Sequence, residues 1–93
     1  MNKVKLKIIR KKIDATDQEI LGLIKKRTLL VNKVIKIKKL KKQIVDNKRI
    51  RNVLNNIRKK SIAKKIDPKI TKQIWTSMIN SYIKYEKRNF KRK

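Results

Sequence analysis

Cysteine and histidine are both absent from this chain, glycine and proline occur once each, and 6 acidic residues face 31 lysines and arginines. Without Cys or His there is no disulfide, no thiolate nucleophile, no Ser-His-Asp triad and no zinc or haem held by such ligands. Six scattered carboxylates make no calcium cage. Chemistry on this chain therefore runs on cations and hydrogen bonds, with no metal and no cofactor expected. Long apolar runs are missing too. The uncharged stretch 74–83 is about half of what a bilayer crossing needs, and the N-terminus alternates Lys with apolar residues without a signal-peptide cleavage pattern. The expected location is the cytoplasm, away from membranes.

What is present is charge and aliphatic bulk. The 93 residues carry a formal net charge of +25 with 39% hydrophobic residues, and fit one small domain, 1–93, with a core over about 4–86 and a basic tail over 87–93. So short a chain buries little apolar surface alone, and a second copy is the natural way to complete a helical core. Seven of the 31 cations are Arg and 24 are Lys, amid many Ile and Asn, a mixture that an AT-rich genome produces. The charge therefore speaks to solubility and non-specific nucleic-acid binding, and not to fold.

A single Gly and a single Pro leave little turn chemistry for short strands, so the expected fold class is all-α with a few long helices. Leu6, Ile9, Ile13, Ile20, Leu23, Ile24, Leu30, Val31, Val34 and Ile37 recur mostly at three- and four-residue steps, predicting one helix from 6 to about 40. Gly22 within it suggests close approach by another helix. Asp46 is the expected N-cap of a second helix carrying Ile50, Val53, Leu54, Ile57 and Ile62. Asp67-Pro68 pairs a capping acid with Pro at the first helical position, opening a third helix with Ile70, Ile74, Trp75, Met78, Ile79, Tyr82 and Ile83 on its apolar side. The tail 87–93 is expected to fray.

Against the Lys background the arginines are informative one by one: Arg10, Arg27, Arg49, Arg51, Arg58, Arg88 and Arg92. Arg presents a planar fork that grips carboxylates bidentately, which Lys does not. Arg27 and Lys38 are eleven residues apart, close to three whole helical turns, which puts them on one face about 16 Å apart along the axis. Arg10 precedes Arg27 by seventeen residues, about 25 Å down the axis and about 100° round the helix. Arg10 thus reaches a small ligand held between Arg27 and Lys38 only from another, antiparallel chain.

The segment Leu6-Lys7-Ile8-Ile9-Arg10-Lys11-Lys12-Ile13-Asp14-Ala15-Thr16-Asp17, followed by Ile20-Leu21 and Leu23-Ile24-Lys25-Lys26-Arg27, resembles the first helix of the all-helical chorismate mutases. The similarity continues through Val34-Ile35-Lys36-Ile37-Lys38, Asp46-Asn47-Lys48-Arg49 and Ile66-Asp67-Pro68, in family order and near family spacing. The resemblance implies an intertwined homodimer of three helices per chain, whose pocket is built mostly from one chain and completed by Arg10 of the other. It implies Arg27 as the in-chain carboxylate-binding residue, and Lys38 as the donor to the substrate ether oxygen and a carboxylate. By the same matching, Asp46 and Arg49 fall at the loop and helix-start positions of the site, Val34, Ile79 and Ile83 on its apolar wall, and Glu86 at the second ether-oxygen donor. Asp14 and Asp17 read as structural, Asp14 pairing with a nearby Lys and Asp17 with Thr16 or a helix end. The implied reaction is the rearrangement of chorismate to prephenate, serving phenylalanine and tyrosine synthesis.

Departures from the family pattern bear on the substrate. Ile50 stands where a Glu commonly meets the substrate hydroxyl, and Tyr82 where a Ser often helps bind a carboxylate. The connection from Lys38 to Arg49 is one residue shorter than in many members, and the run 78–83 resembles the isochorismate-pyruvate lyase branch of the superfamily. The alternative reaction is therefore release of pyruvate from isochorismate with formation of salicylate. Glu86 would donate a hydrogen bond only as a protonated acid, because a carboxylate repels the ether oxygen. A reading of another class, a basic helical module coating nucleic acid, has the +25 charge in its favour. Against it stand the scarcity of exposed aromatics and the spread of Lys over all three helices.

Overall fold

A computed structural model describes residues 2–38 and 40–91; Arg92, one of the seven arginines, and Lys93 of the basic tail lie outside the described residues. Among the described residues three α-helices follow one another, α1 (Lys3–Ile37), α2 (Asn47–Ala63) and α3 (Pro68–Asn89), with a single 3-10 turn at Lys41–Ile44. There is no strand among the described residues, and the fold is all-α as expected. The chain divides into two units, residues 1–32 and 33–93.

The first unit is most of α1. Asn2 caps it, its Oδ1 accepting from Lys5 N at 3.1 Å and its carbonyl from Leu6 N at 3.2 Å, so the helix starts three residues before the apolar periodicity becomes visible. Ile8, Ile9, Ile13, Ile20, Leu21, Leu23, Ile24, Leu29 and Leu30 are all exposed. A Cβ added at Gly22 would meet nothing within 4 Å, so the neighbour expected against Gly22 is not supplied by this chain. The expected Asp17–Thr16 pairing does not form either. Adjacent helical residues point to different sides, and the Thr16 hydroxyl donates instead to the Lys12 carbonyl at 3.0 Å.

The second unit contains the end of α1, the 3-10 turn, α2 and α3. The first helix ends at Ile37, not near 40, because Leu40 is extended (φ −124°, ψ 137°) and is bound on both sides by Gln43. Leu40 N donates to Gln43 Oε1 at 2.9 Å, and Gln43 N donates to the Leu40 carbonyl at 3.0 Å. That reciprocal pair starts a new turn, which carries Ile44 into the interior at 4% exposure. Asp46 and Asp67 cap α2 and α3 as the sequence predicts, accepting from Arg49 N at 3.0 Å and Lys69 N at 2.9 Å.

Between α2 and α3 the chain reverses through Lys65, which adopts φ 59°. Ile66 N donates to the Ser61 carbonyl at 2.8 Å and Lys65 N to the Ile62 carbonyl at 3.1 Å, the paired closure that usually places Gly at the left-handed position. The two helices are then joined by a buried polar contact, Ser61 Oγ to Thr71 Oγ1 at 2.7 Å, while Ser61 Oγ also donates to the Ile57 carbonyl at 2.6 Å. Residues 87–89, expected to fray, are helical. Asn89 Nδ2 donates to the Tyr85 carbonyl at 2.8 Å and the Arg88 guanidinium lies 6.0 Å from the Tyr85 ring centre, which extends α3 by a turn.

Candidate functional site

The carboxylates of the second unit divide by role. Asp46 and Asp67 are spent on helix starts, which leaves Glu86 as its one remaining acid. Glu86 is buried, 8% exposed, in the last third of α3. Its Oε1 accepts from Lys38 Nζ at 3.3 Å, and the two side chains retain only 11% and 20% of their surface. Lys38 sits just past the end of α1, held there by its own N–H on the Val34 carbonyl at 3.1 Å. Two residues 48 apart in sequence, both assigned to the ether oxygen by the resemblance, are therefore in direct contact.

The surroundings of the pair follow from helical phase. Tyr82 and Ile83 precede Glu86 by four and three residues and share its side of α3, with Ile79 one turn earlier. All three are half-buried, and they give the pair an apolar flank. Val34, one turn before Lys38, is still 43% exposed. Tyr82 is braced by a residue the sequence reading passed over. The Tyr85 ring meets it edge to face, centres 6.1 Å apart and planes at 83°, with Arg88 over the far ring. The i, i+3 spacing of Tyr82, Tyr85 and Arg88 is the signal that finds this stack.

The other expected site residues are placed as follows. Asp46 directs a carboxylate oxygen into the start of α2, so its first role is structural. Arg49 projects from the first turn of α2 and is exposed, and Ile50 beside it is half-buried. In the first unit, Arg10 is exposed near the start of α1, and Arg27 is half-buried in a helix whose residues 7–26 are all exposed. Among the described residues no three His, Cys, Asp or Glu side chains gather as metal ligands, and no helix is long and apolar enough to cross a membrane.

An ion pair this little exposed contributes weakly to stability, because desolvating both charges offsets their attraction. What it offers chemically is one cationic donor, Lys38, set beside apolar side chains, where a hydrogen bond to an oxygen gaining negative charge is worth more than in water. A sequence model of the family described as chorismate mutase type II matches residues 9–87. That match takes in α1 from its second turn, the 3-10 turn, α2 and α3 almost to its end. No curated protein and no solved structure matches the chain.

Proposed function

Because this chain belongs to the chorismate mutase type II family, we propose that it rearranges chorismate to prephenate as a homodimer, without cofactor. The observation that carries the proposal is the contact of Lys38 with Glu86, one residue from each end of the second unit. The reaction is pericyclic: the ether C–O bond breaks as a C–C bond forms, and no acid, base or covalent nucleophile is required. A protein lacking Cys and His is equipped for that chemistry.

The residues divide into two tasks. Arg27, together with Arg10 of the partner subunit, clamps the two substrate carboxylates and holds the enolpyruvyl chain over the ring, so that little entropy remains to be lost at the transition state. Lys38 then turns from Glu86 to the ether oxygen and stabilises the charge that grows there, with an effect of about 3 kcal/mol for one well-placed donor. Glu86, beside Lys38, is the second hydrogen-bonding group at that oxygen. Tyr82, held by Tyr85, closes the apolar side with Ile79 and Ile83, and Arg49 supplies a further cation at the start of α2. The exposed apolar residues of α1 support the dimer, since a second copy covers them and brings the Arg10 side chain with it.

The test is direct. Purified protein is expected to consume chorismate in an ultraviolet absorbance assay, with prephenate identified by chromatography, and Arg27→Ala is expected to lower kcat/KM by about 10²-fold or more. Ile50, in place of the Glu that reads the substrate hydroxyl, makes isochorismate the second substrate to assay. Salicylate and pyruvate from isochorismate in the absence of prephenate formation would make the protein a lyase. Turnover of neither substrate overturns the enzymatic reading.

A further inference from the structure

Outside the Lys38–Glu86 site, the second unit holds a groove of about 310 Å³ between α2 and α3, lined by Arg51, Leu54, Ile57, Arg58, Pro68 and Lys72, with Asn55 at its edge. Its floor is apolar: Leu54, Ile57 and Pro68 are half-buried, whereas the three cations on its rim are exposed. Arg51 and Arg58 are seven residues apart, two turns of α2, and so stand on one side of that helix. Lys72 faces them from α3, one turn after Pro68. Arg49, the cation with a family-matched place, is two residues from Arg51 and about 160° away round the helix, so this groove and the site above use different sides of α2.

Three features mark the groove as more than another stretch of basic surface. Arg is the minority cation here, 7 of 31, and two of the seven border this one groove. Among the described residues no carboxylate answers them: none of Arg51, Arg58 and Lys72 takes part in an ion pair, and the nearest acids in sequence, Asp46 and Asp67, each have Oδ1 on a backbone N–H, of Arg49 and Lys69. Three like charges around an apolar floor repel one another, and an anion seated among them relieves that repulsion. The shape selects the kind of anion. The forks of Arg51 and Arg58 suit a carboxylate, the floor suits a hydrocarbon ring, and the volume lies at the small end of ligand pockets, of about 300–1,000 Å³.

We propose that the groove between α2 and α3, bounded by Arg51, Arg58 and Lys72, is a second ligand site that binds a small ring-bearing carboxylate. The site shares no residue with the Lys38–Glu86 pair or its flank, and its occupancy does not depend on what the protein catalyses. Simple anions lack the ring that the floor accepts, and neutral rings lack the charge that the rim requires.

The probe is benzoate, titrated into ¹⁵N-labelled full-length protein, with benzamide, inorganic phosphate and a short DNA duplex as comparisons. Saturable amide shifts centred on residues 51–58 and 68–72 are expected with benzoate and not with benzamide. The Arg51→Met/Arg58→Met variant is expected to bind benzoate about tenfold more weakly while keeping its helical circular dichroism. Should that variant fail to fold, Arg58→Lys, which keeps the charge and loses the fork, and Lys72→Met are expected to weaken binding. Benzamide or phosphate acting as strongly as benzoate overturns the proposal, as does unchanged affinity in the variants. So does a duplex that shifts the same amides at lower concentration, which would make the groove a phosphate-backbone contact.

Discussion

Glu86 is a buried acid in a protein that has almost no acids, and its partner is Lys38, 3.3 Å away. Under the proposed function the two share the task of hydrogen-bonding the ether oxygen. Glu86→Gln, whose amide keeps a hydrogen-bonding group at the same place, is expected to retain mutase activity, whereas Glu86→Ala, which keeps none, is expected to lower kcat/KM by about 10-fold or more. Steady-state kinetics on both variants check this, and an inactive Gln variant excludes the donor role. Ser61 and Thr71 illustrate a different residue-scale effect. The two residues are 3% and 9% exposed, so removing one hydroxyl takes away the 2.7 Å contact between the helices and leaves the other hydroxyl with a carbonyl of its own helix alone. Ser61→Ala and Thr71→Val are each expected to cost about 1–2 kcal/mol in urea unfolding, and the double variant less than their sum.

At the scale of elements, local chemistry decided most boundaries. Asp46 and Asp67 cap α2 and α3 where the sequence puts capping acids, because an N-cap carboxylate satisfies backbone donors within its own turn and needs no tertiary help. Two boundaries were not legible. The end of α1 depends on Gln43 reaching back to Leu40, a contact with no strong signature in a run of lysines, and the end of α2 depends on Lys65 accepting a left-handed conformation at φ 59°. The second is strained for a residue with a Cβ. Lys65→Gly is expected to stabilise the protein by about 1 kcal/mol, read as a higher urea midpoint with an unchanged slope.

For the whole molecule, the governing fact is how little of its apolar surface one chain hides. Among the described residues Ile35 and Ile44 are the buried hydrophobic ones, while α1 leaves Ile8, Ile13, Ile20, Leu23 and Leu30 about half exposed or more. Under the proposed function a second copy relieves this, and such a dimer would have a kinetic signature beyond its mass. If each site takes Arg27 from one subunit and Arg10 from the other, Arg10→Ala and Arg27→Ala are both nearly inactive alone. Unfolded together in equal amounts and refolded, they are expected to recover about a quarter of the wild-type rate, since half the dimers are mixed and each mixed dimer has one intact site. No recovery, with mixed dimers demonstrated by mass spectrometry, places Arg10 outside the site.

The all-helical class, the three helices, two of the caps and the family membership follow from the amino-acid order alone, because periodicity, capping and motif spacing are local properties. Tertiary structure decided the rest. The 3.3 Å approach of Lys38 to Glu86 spans 48 residues, and the groove under Arg51, Arg58 and Lys72 exists only once α2 is folded against α3. Contacts between residues distant in the chain depend on how whole helices pack, and packing is set jointly by many side chains, none of which carries the answer by itself.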